Sequence, residues 1–307
     1  WNDGGPGVLI LSHLDTVHPT GTLARMPFRV AGDLAFGPGT YDMKGGAYIA
    51  FHALGRFLKS GARPPLPVTH LFLSDEEIGS PTSRPLIERL AAQSKVVLVT
   101  EPAREGGKVV TARKGTARYE LETFGIASHA GARHQDGRNA IAEMCRQILK
   151  LEAMTDYEAG ITVNVGLVAG GTGVNVVPAH CSARVETRVP TMAAALAMCA
   201  AIEGLTPHDP EVRITTRGGL NRPPYEKTPA IAALFAHTKG LAAEIGFELQ
   251  DLTTGGCSDG NFTAPIAPTL DGLGVDGQGG HSDHEQLYIS SLEPRSELLY
   301  RLIATLD

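Results

Sequence analysis

Short, unbroken apolar runs that stop at histidine, acidic or glycine residues recur along this chain. Residues 8–12 (Val-Leu-Ile-Leu-Ser) run into His13 and, after Leu14, Asp15. Residues 71–73 (Leu-Phe-Leu), the end of a strand at 68–73, stop just before Asp75, Glu76 and Glu77, and residues 96–100 stop at Glu101-Pro102. An unbroken run of this kind fits a strand buried on both faces. Residues 45–59 and 83–93 instead carry apolar positions at helical spacing. Gly61 and the segment Pro64-Pro65-Leu66-Pro67 stop the first of these helices. Strand and helix in alternation predict a parallel or mixed sheet with helices on its faces. Ligands of such sheets bind at the carboxyl ends of the strands, and the polar stops fall there.

Near Gly106 the pattern changes. Residues 108–111 and 116–123 read as strands, the second alternating Tyr119, Leu121 and Thr123 with charged positions. An amphipathic helix at 139–153, strands at 161–168 and 182–189, an alanine-rich helix at 191–203 and a strand at 212–216 complete a compact α+β insert. Beyond Arg217 the first pattern returns, with a helix at 229–245, a glycine-rich turn at 254–261, a short strand at 266–270 and a closing helix at 292–306. Residues 20–30 read as a loop with Pro27 as its breaker. The expected fold is α/β: a discontinuous catalytic domain, residues 1–107 and 218–307, built on a mixed, mostly parallel sheet flanked by helices. It is interrupted by an inserted α+β domain at 108–217.

Composition narrows the classes of function. A chain of 307 residues with 42% hydrophobic and 20% charged content is ordinary for a soluble globular protein able to bury a sizeable core. A formal net charge of −6 with no basic block argues against nucleic acid or an anionic membrane as partner. No run is long and apolar enough to span a bilayer. Cys145, Cys181, Cys199 and Cys257 lack CxxC spacing, so reduced thiols in a cytoplasmic protein are expected.

The polar stops share a chemistry. His13 with Asp15, Asp42 in a glycine-rich loop, the acidic trio at 75–77, Glu101, and His281 in Gly-Gly-His-Ser-Asp-His-Glu add up to two histidines and several carboxylates. That nitrogen and oxygen set suits a catalytic zinc pair better than a closed structural site. Three adjacent carboxylates are costly unless a cation neutralises them. Taken alone, the trio fits a helix N-terminus, where acids are welcome, or a solvated turn equally well.

The ordered set HLDTV, GTYDMKGG, SDEEIGS, TEP, SHAG and GHSDHE resembles the co-catalytic dinuclear zinc peptidases and deacylases. That family includes glutamate carboxypeptidases, aminoacylases, acetylornithine deacetylases and succinyl-diaminopimelate desuccinylases. The resemblance covers essentially the whole chain and leans toward the bacterial glutamate carboxypeptidases. It implies that His13, Asp42, Glu77, Glu101 and His281 bind two Zn²⁺ per chain, with Co²⁺ or Mn²⁺ as substitutes, that Asp42 bridges them, and that Glu77 completes the site of His13 and Glu101 the site of His281. Asp15 would then fix the His13 imidazole, and Glu76 would act as general base. His129 would steady the oxyanion. Asn175, Arg188 and Arg222 match substrate-holding positions, Arg188 and Arg222 both being open as the carboxylate clamp or as ordinary strand arginines.

The resemblance further implies a homodimer formed through the insert, and hydrolysis of an amide bond that releases a C-terminal amino acid, glutamate foremost. An N-acyl amino acid deacylase is the alternative, and a non-catalytic peptide or amino-acid binder a distant one. Family members begin with further helices and strands, so a segment preceding Trp1 is expected, which leaves a periplasmic or secreted location open. Two positions depart from the pattern. Cys257 stands where relatives carry threonine or a similar small residue, and His284 and Asp283 flank His281 without an assigned role. No role falls to His18, His52, His70, His134, His180, His208 or His237.

Overall fold

The computed structural model describes residues 5–307. These divide into two compact units, one holding the residues up to Arg113 together with Tyr225–Asp307, the other Lys114–Pro224.

The strand Gly7–His13 is the spine of the first unit. It pairs in parallel with Val68–Leu73 on one side and Ser94–Val99 on the other, and Thr269–Leu270 extends the sheet beyond Ser94–Val99. Val8 and Ile10 enter a core shared with Ile49, Ala53 and Phe57 of the helix Gly45–Ser60 and with Leu298 and Leu302 of the helix Leu292–Thr305. Leu9 and Leu11 point the other way, toward Ile87 and Ala91 of the helix Arg84–Ala91 and toward Phe262. All four strand residues are at most 1% exposed. Helices on both faces account for the lack of alternation in this run, because no side of the strand meets water.

A second, antiparallel sheet orders Gly277–Gln278, Gln286–Tyr288, Leu34–Phe36 and Arg29–Ala31. Its strands are two or three residues long, too short to display a period, and the sequence pattern missed them. Residues 20–30, read as loop, include one of them. The strand expected at 266–270 is confined to Thr269–Leu270.

The second unit is an antiparallel sheet in the order Arg213–Arg222, Gly115–Phe124, His180–Val189 and Thr162–Gly170. Helices Ala140–Glu152 and Met192–Glu203 cover one face, packing Met144, Leu151, Ala195 and Ile202 on Ala117, Tyr119 and Leu121. The opposite face is laced with charge, Arg118 pairing with Glu186 and Arg184 with Glu120. That alternation is the period-two signature of a sheet half in water.

The unit boundaries fall later than the sequence pattern put them. Val109–Arg113, assigned above to the insert, pairs in parallel with Asp251–Thr254 of the first unit. Arg213–Arg222 continues past the expected end of its strand at residue 216, running alongside Gly115–Phe124 through Gly218 and Gly219. Gly218 sits at φ 141°, and a Cβ there would stand 2.1 Å from the Arg118 carbonyl oxygen. The glycine allows the close approach of two strands and does not end one. Among the described residues, no helix is long and apolar enough to cross a membrane.

Candidate metal centre

The candidate residues of the first unit converge at the carboxyl edge of its parallel sheet. His13 is the last residue of the central strand, and Glu101 follows the neighbouring strand by two residues. Glu76 and Glu77 follow the strand Val68–Leu73. Asp42 lies in a distorted turn, Thr40–Lys44, that leads into the helix Gly45–Ser60, and its peptide bond to Met43 is cis. His281 belongs to the loop between the paired strands Gly277–Gln278 and Gln286–Tyr288. It adopts φ 63°, a left-handed conformation uncommon for a residue with a side chain.

Both histidines reach for Asp42. His13 Nε2 lies 3.2 Å from Asp42 Oδ1 and 3.6 Å from Glu101 Oε1. His281 Nε2 lies 3.4 Å from Asp42 Oδ2 and 3.3 Å from Glu77 Oε2. Two groups able to hold a metal ion result, His13 with Asp42 and Glu101, and Asp42 with Glu77 and His281; the candidate donor atoms of each lie within 4.8 Å of one another. The groups share Asp42, one oxygen turned to each. The two glutamates are exchanged relative to the expectation: Glu101 sits with His13 and Glu77 with His281, because the strand leading to Glu101 is a direct neighbour of the strand ending in His13. Exposure falls unevenly, with His13 and Glu101 buried and the His281 side chain 56% exposed.

Electrostatics fit a cation here. Burial opposes a charge on His13, but Asp15, Asp42 and Glu101 outweigh it and hold the pKa far above the ordinary imidazole value. Asp42 followed by Glu77 raises His281 to about 10. Burial alone would raise the Asp42 carboxyl, whereas hydrogen bonds from His13 and His281 hold it below the usual carboxylate range. Glu77 Oε1 and Asp15 Oδ1 are buried oxygens with no hydrogen-bond partner, an arrangement that is costly unless a cation approaches. Donor types, spacing and orphaned oxygens together fit divalent metal ions of the zinc class.

The acidic trio divides its labour. Asp75 accepts hydrogen bonds from Thr82 N at 2.8 Å, Ser83 N at 3.1 Å and both hydroxyls, organising the turn ahead of the helix Arg84–Ala91. For Asp75 the helix-start reading was the right one. Glu77 turns toward His281, with its own amide tied to Asp15 Oδ2 at 2.9 Å. Glu76 is buried and belongs to neither metal-holding group.

Asp15 differs from expectation in its atoms. The close partner of His13 Nδ1 is the Asp15 backbone oxygen at 3.0 Å, while the carboxylate stands at 3.6 Å, beyond hydrogen-bonding range. The Asp15 side chain instead spans to the Glu77 amide, so one residue steadies both groups. His284 is exposed, and Asp283 pairs with Arg25 at the surface. Cys257 is half-buried and joins neither group. The sequence pattern passed over Arg104, whose guanidinium stands 3.7 Å from Glu101 Oε2. It also passed over His18 and Glu285, which are taken up below.

An apolar cavity of about 700 Å³ lies on the flank of the Asp42 turn, lined by Thr16, His18, Phe28, Pro38, Lys44 and Tyr48 among others. No residue of either metal-holding group lines it, so it is distinct from the centre.

The second unit holds the remaining candidates. His129 is exposed, on the short strand Ser128–His129 that pairs with Val176–Val177 beside Asn175. Its Nδ1 accepts from Gly131 N at 3.2 Å and Ala132 N at 3.1 Å, so a neutral ring carries its hydrogen on Nε2. Arg188 engages Glu186 Oε1 through Nε at 2.9 Å and Nη2 at 2.6 Å. Arg222 is buried at the end of its strand.

Comparison with known proteins decides the family. The profile of Peptidase family M20/M25/M40 matches residues 9–305. The chain belongs to this family. It is 33% identical over 316 residues to carboxypeptidase G2 of Pseudomonas sp. (strain RS-16), an alignment covering 99% of this chain and 74% of that protein. It is 29% identical to succinyl-diaminopimelate desuccinylase of Verminephrobacter eiseniae, over 98% of this chain and 78% of the relative. Among solved structures, aminopeptidase PepT of Bacillus cereus shares the fold at TM-score 0.77 and 22% identity, over 98% of this chain and 81% of that one. An M20 family metallo-carboxypeptidase of Sulfolobus solfataricus does so at TM-score 0.72 and 16% identity, over 99% and 86%. This M20/M25/M40 protein is a metallohydrolase of amide bonds, with the α/β architecture and interrupted first unit of its relatives.

Proposed function

We propose that the chain cleaves an amide bond so as to release an amino acid with a free α-carboxylate, glutamate foremost, using two Zn²⁺ per chain. The observation that carries this reading is the division of the Asp42 carboxylate between two metal-holding groups, one oxygen toward each histidine. His13, Asp42 and Glu101 would hold one ion, and Asp42, Glu77 and His281 the other, with Co²⁺ or Mn²⁺ as substitutes. Such ions, when bound, polarise the scissile carbonyl and lower the pKa of a water.

The protein's own groups supply the rest. Glu76 is the general base, because it lies next to a proposed ligand while standing outside both groups. It takes one proton from the attacking water, whose oxygen bonds to the carbonyl carbon. It returns that proton to the amide nitrogen as the carbon–nitrogen bond breaks, leaving an acid and a free amine. His129 donates Nε2–H to the developing oxyanion; its support is the tautomer fixed by Gly131 and Ala132. Asp15 orients His13 and the Glu77 backbone. Asn175 and Arg222 or Arg188 hold the substrate, a guanidinium suiting a carboxylate through two parallel hydrogen bonds. The second unit serves as lid and homodimer surface, and the protein works in the cytoplasm.

Glutamate rests on the resemblance of the sequence motifs to the bacterial glutamate carboxypeptidases, and the alignment with carboxypeptidase G2 supports a carboxypeptidase. The alignments with desuccinylases favour a second reading, deacylation of an N-acyl amino acid by the same residues. A panel of N-acyl glutamates, other N-acyl amino acids and dipeptides separates the two. Preferred release of glutamate supports the first reading, and preference for another acyl amino acid transfers the activity to the second. A folded, metal-loaded chain that binds these compounds without cleaving any would leave only a binding role.

A further inference from the structure

Four residues beyond His281 stands a carboxylate that belongs to neither metal-holding group. Glu285 is 1% exposed. Its Oε1 accepts the backbone N–H of Asp42 at 2.9 Å and of Tyr41 at 3.0 Å. Its Oε2 accepts the N–H of Gly39 at 2.8 Å and contacts His18 Nε2 at 2.8 Å. Three of these donors belong to the turn that presents Asp42, and the fourth belongs to the segment that follows His13 and Asp15.

We propose that Glu285 is a positioning residue: it fixes the turn bearing Asp42 to the loop bearing His281, so that one carboxylate faces both groups at once. The chemistry favours a carboxylate at this place. Three of the contacts are backbone N–H groups that can only donate, shared over both oxygens, and the fourth is an imidazole nitrogen that donates in its Nε2–H tautomer. A carboxylate accepts all four, and bonds to an ionised acceptor are among the stronger ones. A glutamine would set an amide NH₂ against two of those donors. The turn has little room to adjust otherwise. Gly39 sits at φ 74°, and a Cβ there would meet Thr16 Cγ2 at 2.4 Å and Lys44 Nζ at 2.5 Å. The next residue, Gln286, pairs with Phe36 in the antiparallel sheet, which anchors Glu285 from behind. His18, which the sequence reading left without a role, is thereby part of the same device.

This assignment rests on the metal reading above, and its test keeps the two apart. Metal-free wild type, Glu285→Gln and Glu143→Gln would be titrated with Zn²⁺ by calorimetry and with Co²⁺ by visible absorption, with circular dichroism and melting curves on each metal-free protein. Glu143 is an equally buried carboxylate in the second unit, accepting His208 N at 2.9 Å and Asp209 N at 3.2 Å. It controls for the mere loss of a buried charged acceptor.

Residues that orient metal ligands cost roughly 10- to 100-fold in affinity when changed. That loss is expected for Glu285→Gln, with a changed cobalt spectrum per bound ion, while Glu143→Gln keeps wild-type affinity and spectrum. If Glu285→Gln does not fold, Glu285→Asp carries the test: the same acceptor, one methylene short, cannot span both loops, and the same weakening is expected. A folded Glu285 variant with wild-type affinity and spectrum overturns this assignment alone. Wild type that takes up no metal overturns the metal reading, and the assignment with it.

Discussion

His281 Nε2 stands 3.4 Å from Asp42 Oδ2, on the opposite oxygen of that carboxylate from the one His13 approaches at 3.2 Å. A single short side chain is therefore common to two donor groups that come from distant parts of the chain. Replacing it removes one candidate donor from each group at once. Asp42→Ala is expected to retain fewer than two equivalents of metal after dialysis and to lose more than about 100-fold in hydrolysis, since even indirect disturbance of ligands costs 10- to 100-fold. Elemental analysis beside an activity assay checks this. Two retained equivalents with wild-type turnover would contradict the shared role.

Adjacent glutamates are expected to fail differently. Glu76→Gln removes the proposed general base and leaves both donor groups whole, so kcat should fall about 10²- to 10⁴-fold with metal content unchanged. Glu77→Gln takes a donor from the His281 group and should lose metal first. Equal metal loss in both variants would remove Glu76 from the role of base.

The apolar runs at residues 8–12, 71–73 and 96–100 made the parallel sheet legible in the sequence, most fully at residues 8–11, where burial on both faces leaves no polar alternation. Their polar stops revealed the edge where the donors gather. Glu285 and His18 were not legible in the same way. Their importance comes from backbone N–H groups converging on a side chain more than 240 residues away, such as that of Gly39, and backbone geometry leaves no mark in residue type. The strand Arg213–Arg222 runs past residue 216, where the sequence pattern ends it, because its pairing with Gly115–Phe124 carries on through Gly218 and Gly219, and residue type alone does not show a facing strand. Asp75 differs from Glu77 only in where its carboxylate points, which adjacency in sequence does not tell.

His70 should make stability depend on pH in the weakly acidic range. Burial pushes its pKa from 6.5 down to about 4. Between those values the unfolded chain binds a proton that the folded chain excludes, so stability falls as pH drops from about 6.5 toward 4 and is unaffected by this residue above that window. Urea unfolding of wild type and His70→Gln at pH 7 and pH 5 checks the sign. The variant should lose less stability over that step, and a larger loss would contradict the assignment.

Leu121 is fully buried in the core that the second unit builds between its sheet and two helices. Leu121→Ala should cost about 2–5 kcal/mol of stability through lost burial and the cavity left behind. Denaturant unfolding gives the value, and a change below about 1 kcal/mol would mean that the site collapses to fill the space.

Counting metal against activity tests the central claim most directly. Chelator-treated protein would be titrated with Zn²⁺ while release of amino acid from an N-acyl glutamate is followed. No turnover is expected in the stripped protein, with a rise that completes at two equivalents per chain. Full activity without metal, or a plateau at one equivalent, would contradict two ions gathered around Asp42.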